Sequence, residues 1–551
     1  MAYPSIQQYQ ETLQYPAQAF SDTVLARGKI AVSGLGTPRV LCGGFALTYA
    51  VESGGKKYAV RCFHKEAKNL ERRYDAISRK LRALSSAYFL EFEYQRDGVR
   101  VEKGTFPVVK MAWATGQTLG EFIEAHHRNP TKVKSLLDAL GNLSTFLEQA
   151  GIAHGDIQDL NIIVSDEGRR VQLIDYDGMY VPELAAMGSS ELGQRDYQHP
   201  LRDDKKYNSS LDRFSFIALN LALRALCEKP AIWNSSQSGS GVTVFRANDY
   251  ADPSRSTVLS EVLSIPGLRR DAQNFASVCT SDFSSVPTLS QFLAGMNIPQ
   301  TSVQVHTRPT QTTAQTLGYI SSYPVLEATN YAAFEHQIGQ MVELVGKIFE
   351  VKVASTHGGK PYIFINFAHW RGRTVKINLW NEALSKAGEK PSAQWVGCWV
   401  TIRGLVEPVY ANKKFNYEHI SITADAVSQI SQITEVEARY RLTPPSSRPN
   451  RITPVLSDNS ATLEKLRGDT RTSSPQPTRP SPAQHSSSSQ NKAVLAQMQN
   501  RHQGGVPASG PNSTPVRHSQ PTPSPSTQRQ YIPSPAPKSK GLWGWVAELF
   551  K

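Results

Sequence analysis

Three side chains of this sequence have the types and the spacing needed to move a proton and to hold a metal ion. The motif HGD ends at Asp156, and Asn161 follows it by five positions. Asp175 comes directly after a largely apolar run over residues 171–174, which predicts a short strand that ends at a carboxylate. Asp156 can take the proton of a hydroxyl group, while the amide oxygen of Asn161 and the carboxylate of Asp175 suit Mg²⁺. Together they predict phosphoryl transfer from ATP.

These residues resemble the catalytic and metal-binding loops of the protein kinase superfamily, in a bacterial type with HGD in place of HRD and DYDG in place of DFG. The resemblance implies ATP and Mg²⁺ as cofactors, Asp156 as the catalytic base, and Asn161 and Asp175 as the metal ligands. The HGD form is also similar to that of phosphotransferases that act on aminoglycosides and other small molecules. The class of acceptor therefore stays open.

The segments before the HGD motif follow the order of a kinase small lobe. Residues 40–51 predict two strands around Gly43 and Gly44, where the lack of side chains lets backbone amides approach phosphate groups. A glycine turn then leads to a strand over residues 58–63, which resembles the family's VAIK strand. Its basic residue is Arg61, where the family has lysine. A forked guanidinium contacts phosphate differently from an ammonium, so Arg61 predicts either phosphate binding or weakened catalysis.

Two further residues are predicted to complete this part of the site. A helix over residues 65–84 offers Glu71 as the ion-pair partner of Arg61, in preference to two other acidic residues nearby. Met111 ends the last strand of the small lobe, and it is predicted to line the adenine site or to be core. Further along, Asp212 resembles the buried aspartate that anchors the backbone of the catalytic loop in the family.

The predicted fold class is α+β, with a two-lobed protein kinase-like fold, then a small OB-like β-barrel, then a disordered tail. Helical spacing of apolar residues predicts the large-lobe helices over residues 119–127 and 133–151. The predicted domains are a kinase-like domain (25–295), a linker (296–334), an OB-fold-like domain (335–430), a disordered tail rich in Pro, Ser and Thr (441–540) and an amphipathic C-terminal segment (541–551).

The OB prediction depends on five short alternating runs with one helix-like segment after the third run. Several residues of these runs predict a stacking surface for single-stranded nucleic acid, with a protein partner as the alternative. They are Tyr362, Phe364, Phe367, Trp370 and Arg373. At the chain end, Leu542, Trp545, Val546 and Leu549 predict a helix face that contacts a partner or a membrane surface.

Charge and cysteine content limit the other function classes. The formal charge is +13, but the chain from residue 441 onward has 14 Lys and Arg against 4 Asp and Glu, which leaves about +3 for the rest. The folded part of the chain is therefore nearly neutral, and neither the kinase-like domain nor the OB-like domain is predicted to have a strongly basic surface. The five cysteines are scattered without a CxxC pair, so neither a zinc site nor a disulfide framework is indicated. With no signal-peptide pattern and no apolar run long enough to span a membrane, a cytoplasmic protein is predicted.

The predicted function is that of an ATP-dependent kinase acting on Ser or Thr of a protein, including hydroxyls of its own tail. The OB-like domain and the tail favour a protein substrate, because both are typical of partner-recruiting segments. Two alternatives stay open. One is a small-molecule phosphotransferase, and the other is a pseudokinase scaffold, which Arg61 favours and the intact Asp156, Asn161 and Asp175 oppose.

Overall fold

The computed structural model describes residues 3–33, 36–40, 42–43, 46–65, 69–239, 241–305, 318–356, 358–385, 389–412 and 417–443. These residues form a mixed α+β structure with four sheets. The predicted α+β class is confirmed at this level. Along the chain the elements make up an N-terminal sheet (residues 29–112), a helical body (residues 117–294) and a C-terminal β unit (residues 325–442).

The N-terminal sheet has six strands: β1 (Lys29–Ile30), β2 (Cys42–Gly43), β3 (Ala46–Ser53), β4 (Lys56–Phe63), β5 (Phe92–Val101) and β6 (Gly104–Ala112). They are antiparallel in the order β1-β3-β4-β6-β5, and β2 pairs with β3. The predicted strand over residues 58–63 is β4. Arg61 lies in this central strand, opposite Thr48 on one side and Val109 on the other.

Four helices accompany this sheet: α1 (Ile6–Thr12), α2 (Pro16–Ala19), α3 (Thr23–Ala26) and α4 (Leu70–Leu84). The first three cover one face of the sheet with buried apolar side chains. Tyr9 of α1 is fully buried, and its hydroxyl donates a hydrogen bond to the carbonyl oxygen of Phe63 at 2.7 Å. Residues that precede position 25, the predicted start of the kinase-like domain, therefore contribute to the core of this sheet. Helix α4 begins five residues later than predicted.

The helical body contains a small sheet and eight α-helices. Its strands are β7 (Gln117–Thr118), β8 (Ile162–Ser165) and β9 (Arg170–Leu173), and its helices are α5 (Leu119–His126), α6 (Pro130–Ala150), α7 (Arg213–Glu228), α8 (Ile232–Ser235), α9 (Ala247–Ala251), α10 (Thr257–Leu263), α11 (Arg269–Thr280) and α12 (Leu289–Ala294). Both predicted helices are present, as α5 and α6. The Asn129 side chain caps α6 by accepting the Lys132 N–H, which explains why it begins earlier than the apolar periodicity indicates.

The C-terminal β unit has nine strands: β10 (Val325–Glu327), β11 (Met341–Lys347), β12 (Glu350–Ser355), β13 (Pro361–Asn366), β14 (Gly372–Leu379), β15 (Trp399–Leu405), β16 (Tyr410–Asn412), β17 (Tyr417–Ala424) and β18 (Ser431–Ile433). Its helices are α13 (Tyr331–Glu335), α14 (Asn381–Ser385) and α15 (Glu435–Leu442). One sheet has the order β10-β11-β15-β18 and the other β12-β13-β14-β17-β16, in which β14 and β17 are parallel.

The described strands of this unit do not close into the predicted barrel. The predicted strands and helix occur in the expected order, but the first strand is interrupted at Ile348 and Phe349. Ile348 is buried while more than half of Phe349 is exposed. Because of this break, β11 and β12 belong to two different sheets.

Most of the predicted tail lies outside the described residues, as do the phosphate-acceptor hydroxyls predicted there beyond Thr443 and the whole segment 541–551. The tail was predicted from residue 441, yet α15 continues to Leu442, and Arg441 is buried in ion pairs. Across the part of the chain that the structure describes, no helix is long and apolar enough to cross a membrane.

Candidate functional site

The loop that carries Asp156 is held by Asp212, a buried aspartate directly before α7. The Asp212 carboxylate accepts the backbone N–H groups of His154 and Gly155 at 2.5 and 2.8 Å. The predicted anchoring by Asp212 is confirmed by these bonds. The His154 ring nitrogen Nε2 lies 2.9 Å from the carbonyl oxygen of Ile174. His154 therefore ties the HGD motif to the residue just before Asp175.

Asp156 is buried and hydrogen-bonded through both carboxylate oxygens. Its Oδ1 accepts the backbone N–H of Gln194 at 2.8 Å, and its Oδ2 accepts the amide groups of Gln158 and Asn161 at 2.5 and 2.8 Å. Burial raises the pKa of Asp156, and the charge of Asp175 adds to the rise, although these hydrogen bonds oppose it. A carboxyl with a raised pKa is a better proton acceptor than an ordinary surface aspartate.

Asn161 and Asp175 are brought together as predicted from their spacing. The Ile174 N–H donates to the carbonyl oxygen of Asn161 at 3.0 Å, which joins the two loops. Asp175 has a left-handed backbone conformation with φ 66°, which is uncommon for a residue other than glycine. About a third of its side chain is exposed. Its carboxylate is thus the part of this cluster that an incoming ligand can reach.

Arg61 contacts two aspartates that follow β9. Its guanidinium forms an ion pair with Asp175, and its Nη2 lies 2.6 Å from Asp177 Oδ2. The Tyr74 hydroxyl of α4 donates to the other oxygen of Asp177. Asp177 and Tyr74 were not singled out from the sequence. The second acidic residue of DYDG was the signal that could have indicated Asp177, because one forked guanidinium can bind two carboxylates.

The prediction that Glu71 pairs with Arg61 is wrong in this structure. Glu71 is near the surface, and its carboxylate binds Arg96 of β5, with Nε to Oε1 at 3.1 Å. Helix α4 presents Tyr74, one turn further along, toward the aspartates instead. The rotation of a helix about its axis cannot be derived from one sequence, so the choice among its acidic residues could not be made correctly.

The remaining predicted ligand-binding residues have mixed outcomes. Met111 is buried in β6, between Ala59 of β4 and Phe92 of β5, and packs in the main apolar core. Gly43 lies in β2 and pairs with Leu47. Gly44 lies outside the described residues. The structure therefore describes the paired strands β2 and β3, with Gly43 at the end of the first, and the predicted turn lies outside the described residues.

Glu191 is an additional acidic group at the site, and no motif in the sequence points to it. Its Oε1 is 2.8 Å from the position that a Cβ on Gly178 would take. Burial raises the pKa of Glu191 well above the usual range, and the charges of Asp175, Asp156 and Asp177 add to this rise. Burial likewise raises the pKa of Asp177. Arg61 opposes the rise in pKa for Glu191 and Asp177, and the buried Arg202 is a second cation beside Asp156 and Glu191.

The oxygen atoms at this site suit a metal ion that is bound together with phosphate, rather than a metal ion held by protein side chains alone. Over the described ranges, no three His, Cys, Asp or Glu side chains are arranged to hold a metal ion. Mg²⁺ is usually bound by one or two carboxylates together with phosphate oxygens. Asn161 and Asp175 could hold it in this way, because the Asn161 amide nitrogen already donates to Asp156 and its oxygen is the remaining ligand atom.

Glycine is required in the HGD motif by close packing. Gly155 has φ 81°, and a Cβ at this position would overlap the carbonyl oxygen of Gly178. We expect Gly155→Ala to lower the free energy of unfolding by on the order of 1–3 kcal/mol, measured by urea denaturation. Gly141→Ala is the control, because its Cβ would meet no atom within 4 Å and alanine favours the helix. Equal stability of the two variants would contradict this account.

The predicted stacking surface of the C-terminal β unit is only partly present. Phe367 is buried core, because β13 ends at Asn366 and the alternation of faces stops there. Arg373 is held by Glu335 at 2.8 Å and lies over the Tyr331 ring. The predicted ligand-facing role is therefore wrong for Phe367, whereas for Arg373, whose side chain is about half exposed, it stays a prediction.

The other aromatic residues lie on one polar sheet face. The Tyr362 and Phe364 ring centroids are 4.6 Å apart, and both rings contact Trp380. The Lys376 ammonium is 3.6 Å from the Phe364 centroid, and burial lowers the pKa of Lys376 to about 8. Beside it, Asn378 Oδ1 is buried and accepts no hydrogen bond from a described residue. Such a buried acceptor favours a ligand with a donor group.

The predicted Trp370 lies near this face, in edge-on contact with Tyr417 at 5.6 Å between centroids. Tyr417 in turn stacks on His419, whose ring centroid lies 4.8 Å from that of Tyr410. Burial lowers the pKa of His419 to about 3, so this imidazole is neutral at physiological pH.

In comparisons with known proteins, the chain matches no protein-family model and no curated protein sequence.

Proposed function

We propose that this chain is an ATP-dependent phosphotransferase with a two-lobed protein kinase-like fold, acting on hydroxyl groups of proteins. The observation that supports it most strongly is the convergence of Asp156, Asn161 and Asp175 around backbone held by Asp212. Three residues that are separated in sequence thus share one half-buried site. A kinase-like reaction needs this combination of a base and oxygen ligands for magnesium.

The residues of the chain have separate tasks in this proposal. Asp156 accepts the proton of the acceptor hydroxyl, and its raised pKa suits that task. Asn161 and Asp175 would hold Mg²⁺, and Arg61 would exchange part of its contact with Asp175 for a phosphate oxygen. Bound ATP would supply the γ-phosphoryl group, and Mg²⁺ would offset part of the negative charge of its phosphates and of the Asp175 carboxylate. Asp177 keeps Arg61 in place in either state.

The full-length protein incubated with γ-labelled ATP tests this function. We expect Mg²⁺-dependent transfer of label to an added protein such as casein and to the chain itself, and loss of transfer with excess EDTA. Phosphosite mapping should place the self-labelled residues between 443 and 540, in the region rich in hydroxyls followed by proline. Label on an added aminoglycoside alone would establish the small-molecule alternative. ATP binding without any transfer would establish the pseudokinase scaffold.

We also propose a second function, single-stranded nucleic-acid binding by an OB-like C-terminal β unit. Its support is the polar face that carries the contacts of Phe364 with Lys376 and Trp380, together with the unsatisfied oxygen of Asn378, the residue opposite Phe364 in the sheet. Aromatic rings stack on bases, a cation attracts the phosphate backbone, and a buried amide oxygen can accept a base N–H group. The parallel pairing of β14 with β17 is consistent with an OB-type strand order.

Phe364→Ala in the full chain should weaken binding of a fluorescent single-stranded oligonucleotide by roughly tenfold, because stacking contributes about 1–3 kcal/mol per base. The affinity should also fall as the pH rises through about 8, where Lys376 loses its charge. Fluorescence anisotropy at low salt measures both effects. Arg439→Gln is the control, since it removes an exposed arginine of α15 whose partner Glu435 lies one turn away on the same helix. No binding by the wild-type chain at low salt would rule this function out.

A further inference from the structure

Three consecutive residues connect the catalytic loop to the C-terminal part of the chain. The Gln194 N–H donates to Asp156, as described above. The next N–H, of Arg195, donates to the Ser322 hydroxyl at 2.9 Å. The Asp196 carboxylate follows, and it lies 2.7 Å from Arg403 of β15. The backbone that holds the proposed base is thus directly joined to residues beyond the helical body.

Asn248 of α9 makes a second set of contacts with the same segment. Its Oδ1 accepts the backbone N–H of Ile320 at 3.0 Å, and its Nδ2 lies 3.0 Å from the carbonyl oxygen of Gly318. The Asn248 amide nitrogen also donates to the Tyr440 hydroxyl at 3.0 Å, but both of its bonds to residues 318–320 are with backbone groups and so do not depend on the side chains there. Asn248 thus binds the backbone at Ile320, and the Arg195 N–H binds the hydroxyl of Ser322, two residues further along the same segment.

Arg403 is the strongest link between this surface and the β unit. It is buried between Asp196 and Glu343, with Nε 3.3 Å from the Glu343 carboxylate. Glu343 also binds Arg441 at 3.0 Å and accepts the Ser321 hydroxyl at 2.8 Å. Burial would raise the pKa of Glu343, but Arg403 and Arg441 outweigh this and hold it at about 2. The network therefore stays charged across the physiological pH range.

We propose that Arg195, Asp196 and Asn248 form the docking surface for a polypeptide acceptor with a hydroxyl side chain, and that residues 318–324 occupy this surface in cis. The acceptor role rests on the proposed function, while the occupied surface rests on the contacts alone. A protein substrate must then displace residues 318–324 before its hydroxyl reaches Asp156. Arg403 sets how readily this happens, because it binds Asp196 on one side and the β unit on the other.

The position of Tyr323 agrees with this arrangement. Burial raises the pKa of its hydroxyl, and the charge of Asp156 contributes more to the rise than any other charged group. Tyr323 therefore lies within electrostatic range of the proposed base. Residues 318–324 thus present hydroxyl groups at this surface, as an acceptor would.

Two substitutions outside the docking surface, Ser322→Ala on the occupant and Arg403→Gln on β15, test the proposal. Carbodiimide labelling of Asp156, read by peptide mass spectrometry against the more exposed Asp175, measures how far the segment covers the site. We expect Arg403→Gln to raise labelling by roughly tenfold, since a buried charge pair is lost. Ser322→Ala should raise it by about threefold, since one neutral hydrogen bond is lost. Arg439→Gln is the control, because its partner Glu435 is on the same exposed helix face.

Phosphoryl transfer to added casein is measured on the same proteins. A rise in labelling together with faster transfer supports the proposal. Unchanged labelling in both variants, with folding verified by circular dichroism, would overturn it. A rise in labelling without faster transfer, in a protein that is active, would show that the surface does not take the acceptor. If no form of the chain transfers phosphate, the proposed function and the acceptor role fail together, and labelling alone decides whether residues 318–324 cover Asp156.

Discussion

Asp156→Asn is expected to lower phosphoryl transfer by about 10²- to 10⁴-fold, because an amide cannot accept the proton of the acceptor hydroxyl. Magnesium ATP should still bind, since Asn161, Asp175 and Arg61 are unchanged. Transfer is measured with labelled ATP, and binding by the thermal shift that magnesium ATP produces. The replacement is close in shape, and its carbonyl oxygen can still accept the Gln194 N–H. The two donors on the other oxygen lose their acceptor, so stability is measured in parallel.

Asp166→Asn is the matched control for this variant. Asp166 is an exposed aspartate after β8 whose partner is Arg169, on the same loop. We expect wild-type transfer from this control, because exposed ion pairs contribute little. Wild-type transfer by Asp156→Asn as well would remove Asp156 from the reaction. Transfer that is absent from the wild-type chain, with ATP still bound, would make the protein a pseudokinase scaffold.

Arg61→Met should lower the free energy of unfolding by about 3–5 kcal/mol, because it leaves Asp177 buried without a compensating charge. The loss from Asp175 is smaller, since that carboxylate is partly exposed to water. Arg61→Lys should also lose stability and activity, although less than Arg61→Met. An ammonium is a compact charge that cannot contact both carboxylates as the forked guanidinium does. Urea denaturation and the transfer assay measure the two effects.

Two further variants test whether the loss of stability in Arg61→Met comes from the uncompensated charge of Asp177 or from the loss of an arginine in general. Arg61→Met combined with Asp177→Asn should recover part of the stability, because the buried negative charge is removed with its partner. Arg96→Met breaks only the surface pair with Glu71 and should leave the free energy of unfolding nearly unchanged. A double variant no more stable than Arg61→Met would mean that the Asp177 charge is not the source of the loss. Full activity of Arg61→Lys would show that a point charge suffices.

Local elements and the order of the site residues could be predicted from the sequence, because they depend on periodicity and short-range spacing. Helices α5 and α6 follow from apolar residues at helical spacing, and strands β4 and β9 from short apolar runs. The proximity of Asp156, Asn161 and Asp175 also followed, since a short hairpin of two strands joins the last two. Asp212 was found because its type and place resembled a known anchoring residue.

Only the tertiary structure decided which charged groups meet. The rotation of α4 selects Tyr74 over Glu71 as the residue that faces the aspartates, and the sequence has no signal for that rotation. The interruption at Ile348 divides one predicted strand between two sheets. The position of such a break depends on which side chains the core can accommodate. Arg403 and Asp196 are 207 positions apart in the chain, and their pairing depends on how the C-terminal β unit packs against the helical body. Contacts of this kind follow from packing and charge burial across the whole fold, so local patterns could not reveal them.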